Sequence, residues 1–245
     1  MSQYIYGIHA VSEFLKSSPE LAIRLLVQEG REHDAKIKQE LSQAYRHKLQ
    51  VQTLPKDKLD GLADNGVHQG ILLECRKMKT YVESDIPELL ALVEHPPLVL
   101  ILDGVQDPHN LGACIRTADA SGVDFVIIPK DKSAPLNATV QKVSCGAMSR
   151  VKVVVATNLA RAVKMLKQEG IWVYGFADEA KESVYNHDFT GSVALVMGSE
   201  GDGLRQLTRQ LCDHLVYIPM QGAVSSLNVS VATGIALYEV VRQRR

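Results

Sequence analysis

Residues 218–239 read IPMQGAVSSLNVSVATGIALYE. With the apolar run Leu215 to Ile218 they spell a strand end, a Pro-Met-Gln-Gly turn and a helix. Ser225, Ser226 and Asn228 occupy the expected N-cap and first turn, so a hydroxyl, an amide and unpaired backbone N–H groups face one point beyond the strand. Leu227, Val231, Gly234 and Tyr238 then recur at the spacing of a packed helical stripe, while Ser226, Ser230 and Thr233 form a polar one. A strand end, a tight turn and a polar helix start together make a ligand-binding mouth.

The alternation extends upstream. Leu98 to Leu102 reads as a strand, Leu111 to Ala120 as a helix, Phe125 to Ile128 as a strand and Asn137 to Met148 as a helix. Val151 to Val155, Leu159 to Gln168 and Trp172 to Phe176 continue as strand, helix and strand, and Val193 to Met197 and Leu204 to Cys212 add one more of each. Near-continuous apolar strands separated by helices imply an α/β fold with a parallel sheet covered on both faces.

Residues 1–76 carry a smaller α/β pattern. Ile8, Val11, Phe14 and Leu15 stand at helical spacing, Ala22 to Val27 reads as a strand, and a polar helix is expected from Glu32 to Lys48. A strand (Val51 to Leu54), a brief helix (Lys56 to Ala63) and a strand (His68 to Glu74) follow. His68 and Gln69 read as turn and edge polarity. Residues 77–97, charged at first, then a short helix opened by Ser84-Asp85 with Pro87 in its first turn, then Glu94-His95-Pro96-Pro97, are expected to link this domain to a second one, 98–245.

A chain of 245 residues, 46% of them hydrophobic, is long enough for a substantial core. It shows neither a basic-then-apolar leader nor a run of membrane-spanning length, so the cytoplasm and no membrane partner are expected. Cys75, Cys114, Cys145 and Cys212 have no CxxC spacing and read as buried thiols; the histidines show no ligand spacing, so no metal is expected. The net charge of −1 lacks the basic excess usual in nucleic-acid-binding domains.

Ligands of open parallel sheets bind beyond the carboxyl ends of the strands. Three such ends carry polar or glycine-rich turns. In LDGVQDPHNLGACIRTADASG, Asn110 precedes a helix bearing Arg116. Six residues of helix rise about 9 Å, and an arginine leaning back could approach Asn110; equally, Asn110 reads as an N-cap and Arg116 as a surface charge. In VALVMGSEGDGLR, Gly198, Gly201 and Gly203 flank Glu200 in an order unlike the dinucleotide fingerprint, and they allow a ligand close to the backbone. Glu200 reads equally as a solvated loop carboxylate. The third stretch is the turn quoted first.

The ordered set D-P-H-N-x-G-x-x-x-R, G-S-E-G-x-G and I-P-M-x-G-x-V-S-S-L-N-V-S-V-A resembles the signature motifs of the SpoU (TrmH-type) ribose methyltransferases of the SPOUT superfamily, and covers residues 98–245. The first module, with HQG at 68–70, is similar to the L7Ae/L30-like substrate-binding domain of the subgroup that methylates a guanosine ribose in 23S rRNA. The resemblance implies a small L7Ae/L30-like RNA-binding domain, a parallel-sheet SPOUT domain with a C-terminal trefoil knot, and a homodimer whose sites draw on both subunits. It implies S-adenosylmethionine held around Gly198, Ile218, Met220 and Leu227, catalytic and substrate contacts from Asn110, Arg116, Glu200, Ser226 and Asn228, and 23S rRNA or a pre-ribosomal particle as partner.

A ribose hydroxyl is a weak acid and poor nucleophile, so alignment and help with one proton are what such an enzyme must add. Guanidinium scarcely deprotonates, which makes Arg116 a stabiliser of a developing alkoxide or a phosphate clamp rather than a base. Three alternatives remain at this point: a nucleotide-binding α/β enzyme, a non-catalytic RNA-binding protein of this fold, and a tRNA ribose methyltransferase.

Overall fold

The computed structural model describes residues 2–63, 66–76 and 80–245, apart from the side chains of residues 17, 138 and 149. The chain divides into two compact units, Met1–Met78 and Lys79–Arg245.

The first unit contains β1 (Ser2–Tyr6), α1 (Ile8–Ser17), β2 (Ala22–Gln28), α2 (Lys38–Arg46), β3 (Gln50–Leu54), α3 (Lys56–Leu62) and β4 (Ile71–Arg76). Its sheet runs β1-β4-β2-β3, with α1 and α2 packed on a core of Val11, Leu15, Leu25, Val27, Leu41 and Ile71. The expected helix from Glu32 begins only at Lys38, because Arg31 forks onto Asp34 and Asp34 Oδ1 accepts from Lys36 N (2.9 Å), a turn that competes with helix. The strand expected from His68 begins at Ile71. His68 is instead buried: Nδ1 accepts from Gly70 N (3.0 Å) and Nε2 faces Asp60 Oδ1 (2.8 Å). Gln69, at φ 55°, accepts Ile8 N on its Oε1 (3.0 Å) and Arg31 Nη1 on its carbonyl (2.7 Å). The His-Gln-Gly turn thus ties α1 and the Arg31 loop to β4.

The second unit opens with β5 (Thr80–Tyr81) and α4 (Ile86–Ala91). Both lie in the stretch expected as a linker, whose residues 77–79 fall outside the described residues. The short helix expected after Asp85 is α4, with Pro87 in its first turn, but from residue 80 onward the stretch is no linker: β5 pairs with β8 (Lys152–Ala156), and Ile86 and Leu89 are buried in the main core. The remaining elements are β6 (Leu98–Asp103), α5 (Pro108–Ala120), β7 (Phe125–Pro129), α6 (Ala138–Val143), α7 (Leu159–Gln168), β9 (Trp172–Phe176), β10 (Glu182–Ser183), β11 (Val193–Gly198), α8 (Gln206–Leu211), β12 (His214–Tyr217) and α9 (Val229–Gln243). They form a wholly parallel sheet in the order β10-β12-β9-β11-β6-β7-β8-β5. Every residue of β6 and β7 is buried, as a sheet covered on both faces requires.

The helix expected over 137–148 ends at Val143, where Cys145 (φ 50°) and Gly146 (φ 81°) turn the chain left-handed. Cys145 is consequently exposed, against the expectation of four buried thiols; Cys75 and Cys114 are buried and Cys212 partly so. On α9 the buried residues are Val229, Thr233, Ala236, Leu237, Glu239 and Val240. Val231 (51% exposed) and Tyr238 (49%), expected to pack, face outward instead. An apolar stripe records which side chains avoid water, not whether the same chain covers them.

Candidate active site

The strand order puts the carboxyl ends of β12, β9, β11 and β6 side by side, and the turns leaving the first three line one cavity. β11 ends at Gly198, where a Cβ would lie 2.2 Å from the Gly203 carbonyl carbon. The loop closes on itself through Ser199 N to Gly203 O (3.0 Å) and Gly203 N to Ser199 O (3.1 Å), with Gly201 at φ 88° and Gly203 at φ 64°. These glycines therefore serve the loop's own closure, one by close approach and two by positive φ. That is a different reason from the ligand approach expected of them.

The loop is pinned to the neighbouring strand by Asp103, the last residue of β6, which sequence reasoning did not nominate. Fully buried, it accepts Arg205 N on Oδ2 (3.0 Å), and its Oδ1 lies 3.2 Å from Arg205 Nε as an ion pair without hydrogen-bond alignment. An aspartate closing an apolar strand was a readable sign of a buried carboxylate in need of a partner; which residue supplies it was not.

Asn228 joins the three turns. As N-cap of α9 its Oδ1 accepts Ser230 N (2.9 Å) and Ser230 Oγ (2.6 Å), which fixes the amide's orientation by the backbone donor. Its Nδ2 then donates to Asn110 Oδ1 (3.0 Å) on α5 and to Glu200 Oε1 (2.6 Å) in the glycine loop. Both amide protons are used, so Asn228 sets the positions of Asn110 and Glu200. Asn110 itself is not the cap of α5: Asp107 is, accepting His109 N (2.7 Å), with Pro108 in the first helical position.

A cavity of about 570 Å³ opens here, lined by Gly198, Glu200, Ile218, Met220, Ser226, Leu227 and Asn228 among others. All four residues nominated for the cofactor are in its wall. Phe176 to Glu179, leaving β9, form a further side that the strand-end rule could have located; Glu179 pairs there with Arg209. Apolar Ile218, Met220 and Leu227 opposite a polar, carboxylate-bearing loop suit a ligand with an apolar body and a positive centre, and the volume suits a nucleoside of S-adenosylmethionine size.

Arg116 is exposed and lies outside this wall, with no hydrogen bond or ion pair among the described residues. Six residues past Asn110, it is rotated about 120° round the helix, and among the described residues no hydrogen bond joins the two; Asn110 is held by Asn228 instead. Cys114, on the same helix, lies 3.5 Å (Sγ to Oγ1) from Thr233 of α9, and burial pushes its thiol up to about 11.

A knitted set of turns at the carboxyl ends of a parallel sheet, enclosing a nucleoside-sized cavity, defines a ligand-transforming α/β domain rather than a purely structural one. The chain belongs to the SpoU rRNA Methylase family, which matches residues 97–238, and residues 4–81 match the RNA 2'-O ribose methyltransferase substrate binding family. It is 50% identical over 244 residues to the 23S rRNA (guanosine-2'-O-)-methyltransferase RlmB of Escherichia coli (strain K12), covering all of both chains. Against the protein of that name from Haemophilus ducreyi the identity is 52% over 245 residues, covering 100% of this chain and 99% of the other. Among solved structures it is similar to the SpoU methyltransferase AviRb from Streptomyces viridochromogenes in complex with AdoMet, with TM-score 0.69, 26% identity, and 99% of this chain and 90% of that one covered.

Proposed function

We propose that this protein transfers a methyl group from S-adenosylmethionine to the 2′-hydroxyl of a guanosine in 23S rRNA, in the cytoplasm and as a homodimer. Asn228 carries the conclusion: from the wall of the cavity, one amide bonds both the glycine loop of that wall and Asn110 of the first signature stretch. The match to 23S rRNA enzymes over the full length, substrate-binding unit included, favours that RNA over tRNA.

When bound, S-adenosylmethionine supplies a methyl on a positively charged sulfur. Ile218, Met220 and Leu227 pack its apolar parts, and Glu200 places negative charge beside the sulfonium side of the cavity. Ser226, exposed in the wall, would donate to or accept from the ribose, and Asn110, which does not itself line the cavity but is held by Asn228 of its wall, would present its amide protons to the RNA. In the transfer the ribose oxygen forms a bond to the methyl carbon as the sulfur–methyl bond breaks, and the hydroxyl proton leaves to solvent or a neighbouring group. Arg116 stabilises the charge growing on that oxygen or clamps the adjacent phosphate.

Arg116 does so from the second subunit. Its absence from the cavity wall of its own chain, and the exposed Val231, Tyr238 and Val224 (62% exposed) on and just before α9, support a symmetric pairing that uses the α9 face. We also take β12, which crosses to the far side of β9, as part of the C-terminal trefoil knot. No helix among the described residues is long and apolar enough to cross a membrane.

The test is methyl transfer from labelled S-adenosylmethionine to unmodified 23S rRNA and to tRNA, followed by nucleoside analysis. Label on the ribose of one 23S guanosine is expected. Label on a base, or on tRNA alone, refutes the assignment.

A further inference from the structure

At the far end of β12 from the cavity, Glu182, His187 and His214 converge, with one ligand atom from each lying within 4.8 Å of the others. They come from β10, the turn after it and the start of β12, so no sequence spacing announces them. The geometry points to a binding site for a divalent transition cation of the zinc class, held by two imidazoles and one carboxylate.

The donor set is the first argument. Two neutral imidazoles with a carboxylate suit zinc, cobalt or nickel and disfavour magnesium and calcium, which take oxygen ligands. Bonds of about 2.1 Å put ligand atoms about 3.4 Å apart in a tetrahedral site. The observed 2.8 Å between Glu182 Oε2 and His187 Nε2 and the 4.8 Å bound on the set bracket that spacing, and Glu182, with a side chain 63% exposed, is free to adjust.

The state of the imidazoles is the second. His187 Nε2 is buried and has no hydrogen-bond partner; the Glu182 oxygen is close to it but off the axis of a hydrogen bond. Among the described residues His214 makes ring contacts but no hydrogen bond from either ring nitrogen. Leaving the buried His187 nitrogen unpartnered is costly, whereas a metal would use its lone pair, and the partly exposed His214 ring offers it a second.

The surroundings hold both rings in place. Tyr174 stacks on His214 (centroids 5.0 Å, 19°) and meets His187 edge-on (5.4 Å, 76°). Val184 and Phe189, both fully buried, anchor the chain on either side of His187, and its carbonyl accepts Gln243 Nε2 (3.0 Å). A cation here would tie β10 to β12. Ala177 to Glu179, just before β10, and Ile218 and Met220, just after β12, are both walls of the cavity. The site therefore braces the cavity from behind and takes no part in methyl transfer.

The full-length protein, stripped with chelator, is titrated with Zn²⁺ by calorimetry and with Co²⁺ by visible absorption. Saturable binding of one equivalent per chain is expected, with Co²⁺ bands of a four- or five-coordinate site. His214→Ala and His187→Gln should each weaken binding at least tenfold while S-adenosylmethionine binding persists, and His33→Ala, remote in sequence, should not. Absence of one-equivalent binding in the wild type, or binding unchanged in both site variants, overturns the proposal and leaves a plain histidine–glutamate ion pair; neither result touches the methyltransferase assignment.

Discussion

Asn228→Asp isolates what joins the three turns from what starts α9. Aspartate caps a helix as well as asparagine, so Ser230 N keeps its acceptor. Nδ2, however, becomes an oxygen facing Asn110 Oδ1 and Glu200 Oε1, formerly at 3.0 and 2.6 Å. Two hydrogen bonds worth about 0.5 kcal/mol each at such an exposed position are lost, and two carboxylates are set in contact. We expect a loss of about 1–2 kcal/mol at pH 8, a fall in melting temperature of roughly 2–8 °C for a unit of this size, and tenfold or greater weakening of S-adenosylmethionine binding. Asn228→Ala also forfeits the cap, about 1 kcal/mol more. Crowding raises the pKa of one carboxyl in the Asp variant, so as the pH falls that group takes a proton and can again donate. The deficit of Asn228→Asp should therefore shrink on acidification, while that of Asn228→Ala stays constant. Calorimetry and thermal melts at two pH values check this; an Asp variant equal to wild type at pH 8, or a deficit indifferent to pH, would refute the bridge.

Gly198→Ala drives a Cβ to 2.2 Å from the Gly203 backbone and should cost cofactor binding at least tenfold, whereas Gly191→Ala, with nothing within 4 Å, should be silent in the same titration. Arg205→Ala leaves the Asp103 carboxylate buried without its partner and should destabilise by about 3 kcal/mol in chemical denaturation, most of it recovered by Asp103→Asn in the same background. Burial holds the Cys75, Cys114 and Cys212 thiols protonated up to about 11, 11 and 12, so in native protein a thiol reagent at neutral pH should modify Cys145 fast and the others slowly. Since those folded-state values lie above the ordinary 9.0, the stability they lend is complete below that pH and should fall as the pH rises through 9 towards 11, visible in alkaline melts. Mixing inactive Arg116→Ala and Asn228→Ala chains under subunit exchange should restore about a quarter of wild-type activity, because half the dimers are mixed and each has one intact site; no recovery would place Arg116 in its own chain's site.

The sheet was readable because β6, β7 and β11 are buried on both faces and so spell unbroken apolar runs, and the site because ligand turns gather at the carboxyl ends of such strands. Asn228 was readable as a cap. What could not be read was adjacency: nothing local in the sequence says that β12 lies beyond β9, or that Asp103 reaches Arg205 across 102 positions. Local chemistry was also misjudged where two rules competed. In Asp-Pro-His-Asn the proline at the first helical position makes Asp107 the cap and moves Asn110 one turn in, which is what frees its side chain to meet Asn228. Arg116 is exposed because α5 buries the face that carries Leu111, Cys114, Ile115 and Ala118. An exposed cation without a side-chain partner among the described residues, on the helix that packs against α9, has little value to a lone protomer. In the proposed homodimer it would gain a role from the second copy's cavity, and recovery of activity in the mixed chains is the observation that would assign it that role.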